Sequence, residues 1–431
     1  RMGSSKHLFW DGCDTVQLAQ NYGTPLYVLS ETAVRERCRE VKKDFLCKYP
    51  NTRAVYASKA FLTMAMVRII ASEGLGLDVD SGGEIYTAYR AGFPMEKTIF
   101  HGNNKTLEEL QLALETGVGR IVADSESELD IIEDAARRRG KRATLLLRVA
   151  PGVDAATHQY MATGHTASKF GFPLAGESIS RTIQRIKGSE NLVLKGFHFH
   201  VGSQLQSNRS HCLAVDALIK EMVLFSSDLG FVTEELNVGG GYGVPEHEGE
   251  ERKPLKYFTE GIMERVIAGC EQAGIPVPAI IIEPGRWIVS EAGITLYKVG
   301  SIKEIPGVMT YVSVDGGMTD NPRPALYGAK YWGVVANRAD ELAGKKVTIV
   351  GKCCESGDVL MKDVMVTDQI TRDDILAVFN TGAYNFSMAN NYNRLPRPAV
   401  VLVREGNAYV IVNRQDYEDL LSGEVIPDHL R

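Results

Sequence analysis

The chain has 431 residues, 44% hydrophobic and 24% charged, the balance of a soluble globular protein large enough for two cores. Its net charge of -6, with no Lys/Arg run that stands out, argues weakly against a nucleic-acid surface. The apolar stretches at 143–150 and 279–282 fall far short of the roughly 20 residues a membrane helix needs, so no membrane partner is expected. Residues 1–10 carry no apolar signal segment, although Arg1 ahead of Met2 leaves a removed transit peptide open. Seven cysteines, with no CxxC pair and no metal-ligand spacing, point to reduced thiols, no metal site and a cytoplasmic location, or a plastid in a plant source.

Residues 24–29 read as a strand added to a second domain from the N-terminus. From 54 onward, short apolar β-rich runs alternate with helical stretches. The runs lie at 54–58, 75–79, 98–100, 120–123, 144–149, 194–200, 235–238 and 279–283. Their continuous apolar character is that of strands buried on both faces. Met64, Val67 and Ile70 predict the buried stripe of the first helix. Thr106 with Glu109, and Ser125 with Glu128, predict capping boxes, and Gly140 a helix stop. Eight such βα units predict a TIM-type (β/α)8 barrel over 35–291. Beyond it, runs at 294–299, 310–314, 347–350, 375–379, 399–403 and 409–412 lack helical spacers. They predict a mostly antiparallel β domain over 292–431, with 1–34 contributing to it.

Barrel enzymes place reacting groups where strands end. Those positions hold Lys59, Asp78, Ser81, Glu84, His101, Arg148, His200, Ser203, the triplet Gly239, Gly240 and Gly241, and the EPGR run of Glu283, Gly285 and Arg286. Glycine turns after strands seven and eight suit a phosphate, because bare amides can close on its oxygens; triple glycine also serves tight turns. Lys59 reads either as a surface lysine or as an amine desolvated at the barrel mouth, which lowers its pKa as a Schiff-base lysine requires. Together with a phosphate cradle it suggests pyridoxal phosphate. Glu283 could keep a pyridine nitrogen protonated or simply pair with Arg286. His200 could stack on a pyridine ring or be a hydrogen-bonded core histidine. Cys354 could donate a proton or, with Cys353, be a small buried residue at a strand end.

The motifs YASKA (56–60), DVDSGGE (78–84), FHGNNK (100–105), HFHVGSQ (198–204), NVGGGYG (237–243) and EPGR (283–286) resemble the fold-type III, alanine-racemase-like decarboxylases. CESGD (354–358), GAYNFSM (382–388) and NYNRLPRP (391–398) extend the likeness. HQYMATG (158–164) leading to SKFG (168–171), and NPRPALY (321–327), favour the diaminopimelate branch. The resemblance implies decarboxylation of meso-2,6-diaminopimelate to L-lysine, the last step of lysine biosynthesis, with pyridoxal phosphate as cofactor. It implies that Lys59 carries that cofactor, with His200 on the ring, Arg148 near its phenolic oxygen and Asp78 among the ligands. Ser203, Gly239, Gly240, Gly241, Gly285 and Tyr384 would hold the phosphate. Arg286, Arg323 and Tyr327, with Tyr384, would bind the substrate's distal carboxylate, and Glu355 its distal amine. Cys354 and Glu355 would reach into the partner's barrel of a homodimer, and the loop 158–169 would close over the site. A decarboxylase of lysine, ornithine or arginine is the competing reading, and Arg323 counts against it.

Overall fold

Eight short strands close into a parallel barrel in the computed structural model, which describes residues 6–153, 168–174 and 176–431. They are Thr52–Ala57, Gly76–Val79, Thr98–Phe100, Arg120–Ala123, Ala143–Ala150, Leu192–His198, Glu235–Asn237 and Ala279–Ile282, numbered one to eight in chain order. Each pairs with the next, and closure comes from strand eight on strand one, with Ile281 opposite Arg53. Val55, Ile99, Val122, Leu146 and Ile281 form a buried cluster from strands one, three, four, five and eight. These short runs are largely apolar because helices cover them outside while side chains fill the lumen. Strand six bends at Gly196, where a Cβ would lie 1.8 Å from Glu235 O, so only glycine admits the neighbouring backbone.

The helices correct several sequence readings. Met64 opens its helix with 52% exposure, and the buried stripe is Met66, Val67, Ile69 and Ile70. The first helical residue precedes the core-facing turn, so an apolar side chain there reaches solvent. Thr106 and Glu109 make the expected reciprocal cap. At Ser125 only half of the device forms: its hydroxyl accepts from Glu128 N, while the Glu128 carboxylate turns inward to Lys105 and to Asp124 N. Arg139 rather than Gly140 caps that helix, and Gly140 follows at φ +60°. Strand six ends at His198, so His200 stands two residues beyond it.

The β unit comprises residues 1–34, 245–250 and 289–431, and the barrel unit 35–244 and 251–288. Its main sheet contains Leu26–Ser30, the long strand Gly293–Ile305, Met309–Val314, Ala343–Val350, Val359–Thr367, Ile375–Val378, Ala399–Arg404 and Asn407–Val412. Leu26–Ser30 pairs antiparallel with Gly293–Ile305 and parallel with Ala399–Arg404. Met309–Val314 and Ala343–Val350 are also parallel, within an otherwise antiparallel arrangement. Glu405 and Gly406, both at positive φ, turn the last hairpin. Val359–Thr367 escapes the sequence reading because its burial alternates irregularly through Lys362 and Asp363. Among the described residues, no helix is long and apolar enough to cross a membrane.

Candidate active site

Glu283 follows strand eight and is almost fully buried. Its Oε1 accepts from Asn237 Nδ2 at 2.6 Å and lies 2.7 Å from His101 Nε2, while Oε2 lies 3.2 Å from His198 Nε2. These partners come from the ends of strands seven, three and six, so barrel curvature brings them together. Burial pushes the Glu283 carboxyl up, but the two imidazoles and their hydrogen bonds outweigh it and hold the group well below the usual carboxylate range. Burial drives His198 down to about 3, so its ring is neutral at pH 7. His101 and His198 pack edge to face with centroids 4.5 Å apart. The ligand atoms of the trio lie within 4.8 Å of one another, and both Nε2 atoms are already engaged with the carboxylate.

Around this centre stand the other strand-end groups. Burial, then the Lys59 and Arg148 charges, depress His200 far below the ordinary histidine value, leaving a neutral imidazole. Burial, then Asp80 and Glu283, push the Asp78 carboxyl well up, and its Oδ1 is buried without a hydrogen-bond partner. Arg148 is buried with its guanidinium 4.2 Å over the Phe170 ring. Lys59 sits in the turn Ser58–Ala60 with a side chain 49% exposed and its Nζ 3.9 Å from Asp80. The described residues therefore leave its amine only partly desolvated. The loop end consists of SKFG at 168–171, and residues 158–167 lie outside the described residues.

The glycine turns are dictated by close approach. Gly239 and Gly241 adopt φ +71° and +88°, and a Cβ would come within 2.5 Å of Phe199 O and 2.0 Å of Gly202 O respectively. At Gly240 it would meet Glu283 O at 2.1 Å, and at Gly285 the Ala57 Cβ at 2.8 Å. Loops after strands one, six, seven and eight can thus converge, as a small anion site requires. His211, on a helix outside the barrel, braces this turn through Nε2 to Gly240 O at 2.9 Å. Arg286 Nη2 donates to Ser203 Oγ at 3.2 Å. Pyridoxal phosphate fits the donor set: an accessible amine, a neutral imidazole, a buried ionised carboxylate with room on one oxygen, and glycine turns beside Ser203.

Within the β unit, Arg323 is buried, and its guanidinium lies 5.2 Å from the Tyr327 ring centroid and 5.5 Å from that of Tyr384. Its Nε donates to Tyr331 OH at 3.1 Å. Tyr384 holds φ +60°, a region bulky residues rarely enter except where surrounding structure enforces it. This is a fixed, aromatic-flanked cation suited to a carboxylate. Cys354 and Glu355 occupy an exposed turn instead. Cys354 N donates to Asn393 Oδ1 at 2.7 Å, and Glu355 Oε1 accepts from Gly357 N at 3.2 Å. Cys353 is the buried member of the pair, so the reading of both cysteines as buried fails for Cys354.

Sequence reasoning passed over His198, Asn237 and His211. The first was legible as the opening residue of the HFH run, which stands where strand six ends. His211 carries no local signal, because its partner is a backbone carbonyl 29 residues away.

Comparison with known proteins gives this geometry a context. Residues 31–290 match the family described as pyridoxal-dependent decarboxylase, pyridoxal binding domain. Diaminopimelate decarboxylase of Bacillus subtilis is 47% identical over 421 residues, covering 98% of this chain and 96% of the relative. The chain belongs to the diaminopimelate decarboxylase family. The Staphylococcus aureus member is 41% identical over 414 residues, covering 96% of each chain. The crystal structure of the M. jannaschii enzyme superposes with a TM-score of 0.92 at 33% identity, covering 99% of this chain and 98% of that one. A lysine/ornithine decarboxylase from Vibrio vulnificus, at 21% identity and TM-score 0.75, shares the fold. None of these named relatives is from a plant, so they lend the plastid alternative no support.

Proposed function

We infer that this chain is a pyridoxal-phosphate-dependent lyase that converts meso-2,6-diaminopimelate to L-lysine and carbon dioxide, the last step of lysine biosynthesis. Within the family, the observation that carries the substrate assignment is Arg323, a buried guanidinium fixed by Tyr331 and flanked by two tyrosine rings. Diaminopimelate differs from ornithine and lysine by a second amino-acid head, whose carboxylate needs a cation. A site for a simple diamine precursor gains nothing from a buried arginine at that end.

When bound, the cofactor supplies an electron sink for the pair left as the bond between Cα and its carboxylate breaks. Lys59 would hold it through the side-chain amine, with Glu283 towards the ring nitrogen, His200 on the ring, and Asp78 and Arg148 completing its surroundings. Ser203, Gly239, Gly240, Gly241, Gly285 and Tyr384 bind its phosphate. Arg286, Arg323 and Tyr327 take the substrate's distal carboxylate and Glu355 its ammonium. Cys354 returns a proton to Cα; as an exposed thiol on a braced turn it suits delivery into the barrel of a partner subunit. The working unit is then a homodimer, placed in the cytoplasm. The deciding experiment follows carbon dioxide release from diaminopimelate, lysine, ornithine and arginine. Diaminopimelate is the expected substrate, and faster release from any of the other three would overturn the assignment.

A further inference from the structure

Glu283 can accept four hydrogen bonds, two on each oxygen. Asn237 and His101 take both positions on Oε1, and His198 takes one on Oε2. One acceptor position on Oε2 is left. A lysine or arginine in place of His198 would neutralise the carboxylate. An imidazole donating through Nε2 orients it and favours ionisation without cancelling its charge, provided the ring itself stays neutral. The surroundings of His198 favour that: the ring is 1% exposed and its Nδ1 is buried with no hydrogen-bond partner among the described residues, so a second ring proton would be stranded away from water. The neighbouring His101 ring, edge to face at 4.5 Å, adds no acceptor there.

We propose that His198 is a positioning residue which, as a neutral N–H donor, holds Glu283 ionised and oriented so that its remaining acceptor position on Oε2 is kept for the cationic ring nitrogen of the cofactor. The inference rests on the functional reading above and deepens it, by naming what makes Glu283 competent. Of the two histidines of the HFH run, His200 would cover the ring and His198 acts behind the carboxylate. The side-chain contacts of His198 are with Glu283 and the His101 ring, so its effect is to pass through Glu283.

The test compares two probes that differ only at the ring nitrogen. Apoprotein is titrated with pyridoxal 5'-phosphate and with its 1-deaza analogue, in which C–H replaces that nitrogen, and binding is followed by cofactor absorbance. The wild-type protein should prefer pyridoxal phosphate by at least tenfold. His198→Leu, and independently His198→Asn, whose amide is too short to reach Oε2, should lose most of that preference while binding the deaza analogue nearly as before. His198→Gln, which can place an amide N–H where Nε2 stood, should retain it. An undiminished preference in the Leu or Asn variant overturns the inference. So does a wild-type protein that binds the two probes equally, or a Gln variant no better than Leu. Failure of the wild-type protein to bind pyridoxal phosphate at all strikes the functional reading instead, so the two failures are distinguishable.

Discussion

Lys105 Nζ lies 2.8 Å from Glu128 Oε1, and both side chains are almost fully buried in the wall of the barrel. The ammonium also donates to the carbonyls of Gly102 and Val122, and the carboxylate accepts from Asp124 N. The two charges match each other, and the pair ties the loop after strand three to the end of strand four. Because Asp124 in turn accepts from Gly171 N, the cluster also braces the segment beside Arg148.

Lys105→Met should therefore destabilise the protein by about 3–5 kcal/mol, since it strands Glu128 as an unpaired buried charge. The double variant with Glu128→Leu should recover a large part of that loss. Urea unfolding of the three proteins checks both statements, and a single variant as stable as wild type would contradict the first.

His211 should contribute to acid sensitivity. Burial drives it down to about 4, against about 6.5 for an unfolded histidine. Between those values the unfolded chain binds a proton that the folded chain refuses. Stability from this group is thus complete above about pH 6.5 and falls by about 1.4 kcal/mol per pH unit as pH drops towards 4. His211→Gln should flatten the slope of unfolding free energy against pH in that window by close to one proton. Denaturation curves at several pH values measure it, and an unchanged slope counts against a buried neutral His211.

Arg323→Leu should raise KM for diaminopimelate by roughly ten- to a hundredfold, the loss of a charge-assisted contact worth about 1.5–3 kcal/mol. Steady-state kinetics read it directly. If the variant handles diaminopimelate as wild type does, the distal pocket has been assigned to the wrong residues.

The eight barrel strands were legible because each is a short, largely apolar run set between helical stretches, and their ends pointed to Lys59, Asp78 and Glu283. The cap at Thr106 was legible because its partner is three residues away. Glu128 was misread because a capping pattern and a buried ion pair look alike in one dimension; Lys105, 23 residues distant, decides between them. Asn237 and His198 matter only through a carboxylate 46 and 85 residues further on, contacts that closure of the barrel creates. Lys59 was legible as the residue just past a strand end, but which of its two readings, surface lysine or desolvated amine, was not, since strand position does not say how much neighbouring chain covers the mouth.

If Cys354 serves the partner's barrel, two inactive proteins should rescue each other. Subunits carrying Lys59→Ala mixed with subunits carrying Cys354→Ala should form heterodimers with one intact site of two. Activity should then rise well above either parent. Absence of rescue, with subunit exchange confirmed separately, would show that each chain completes its own site.

The most direct measurement on the central claim is to reduce the cofactor-loaded protein with borohydride and locate the fixed pyridoxyl group by peptide mass spectrometry. The account expects a single modified lysine, Lys59, with loss of carbon dioxide release in proportion to labelling. A label on another lysine, or none on a protein that still decarboxylates diaminopimelate, would contradict it.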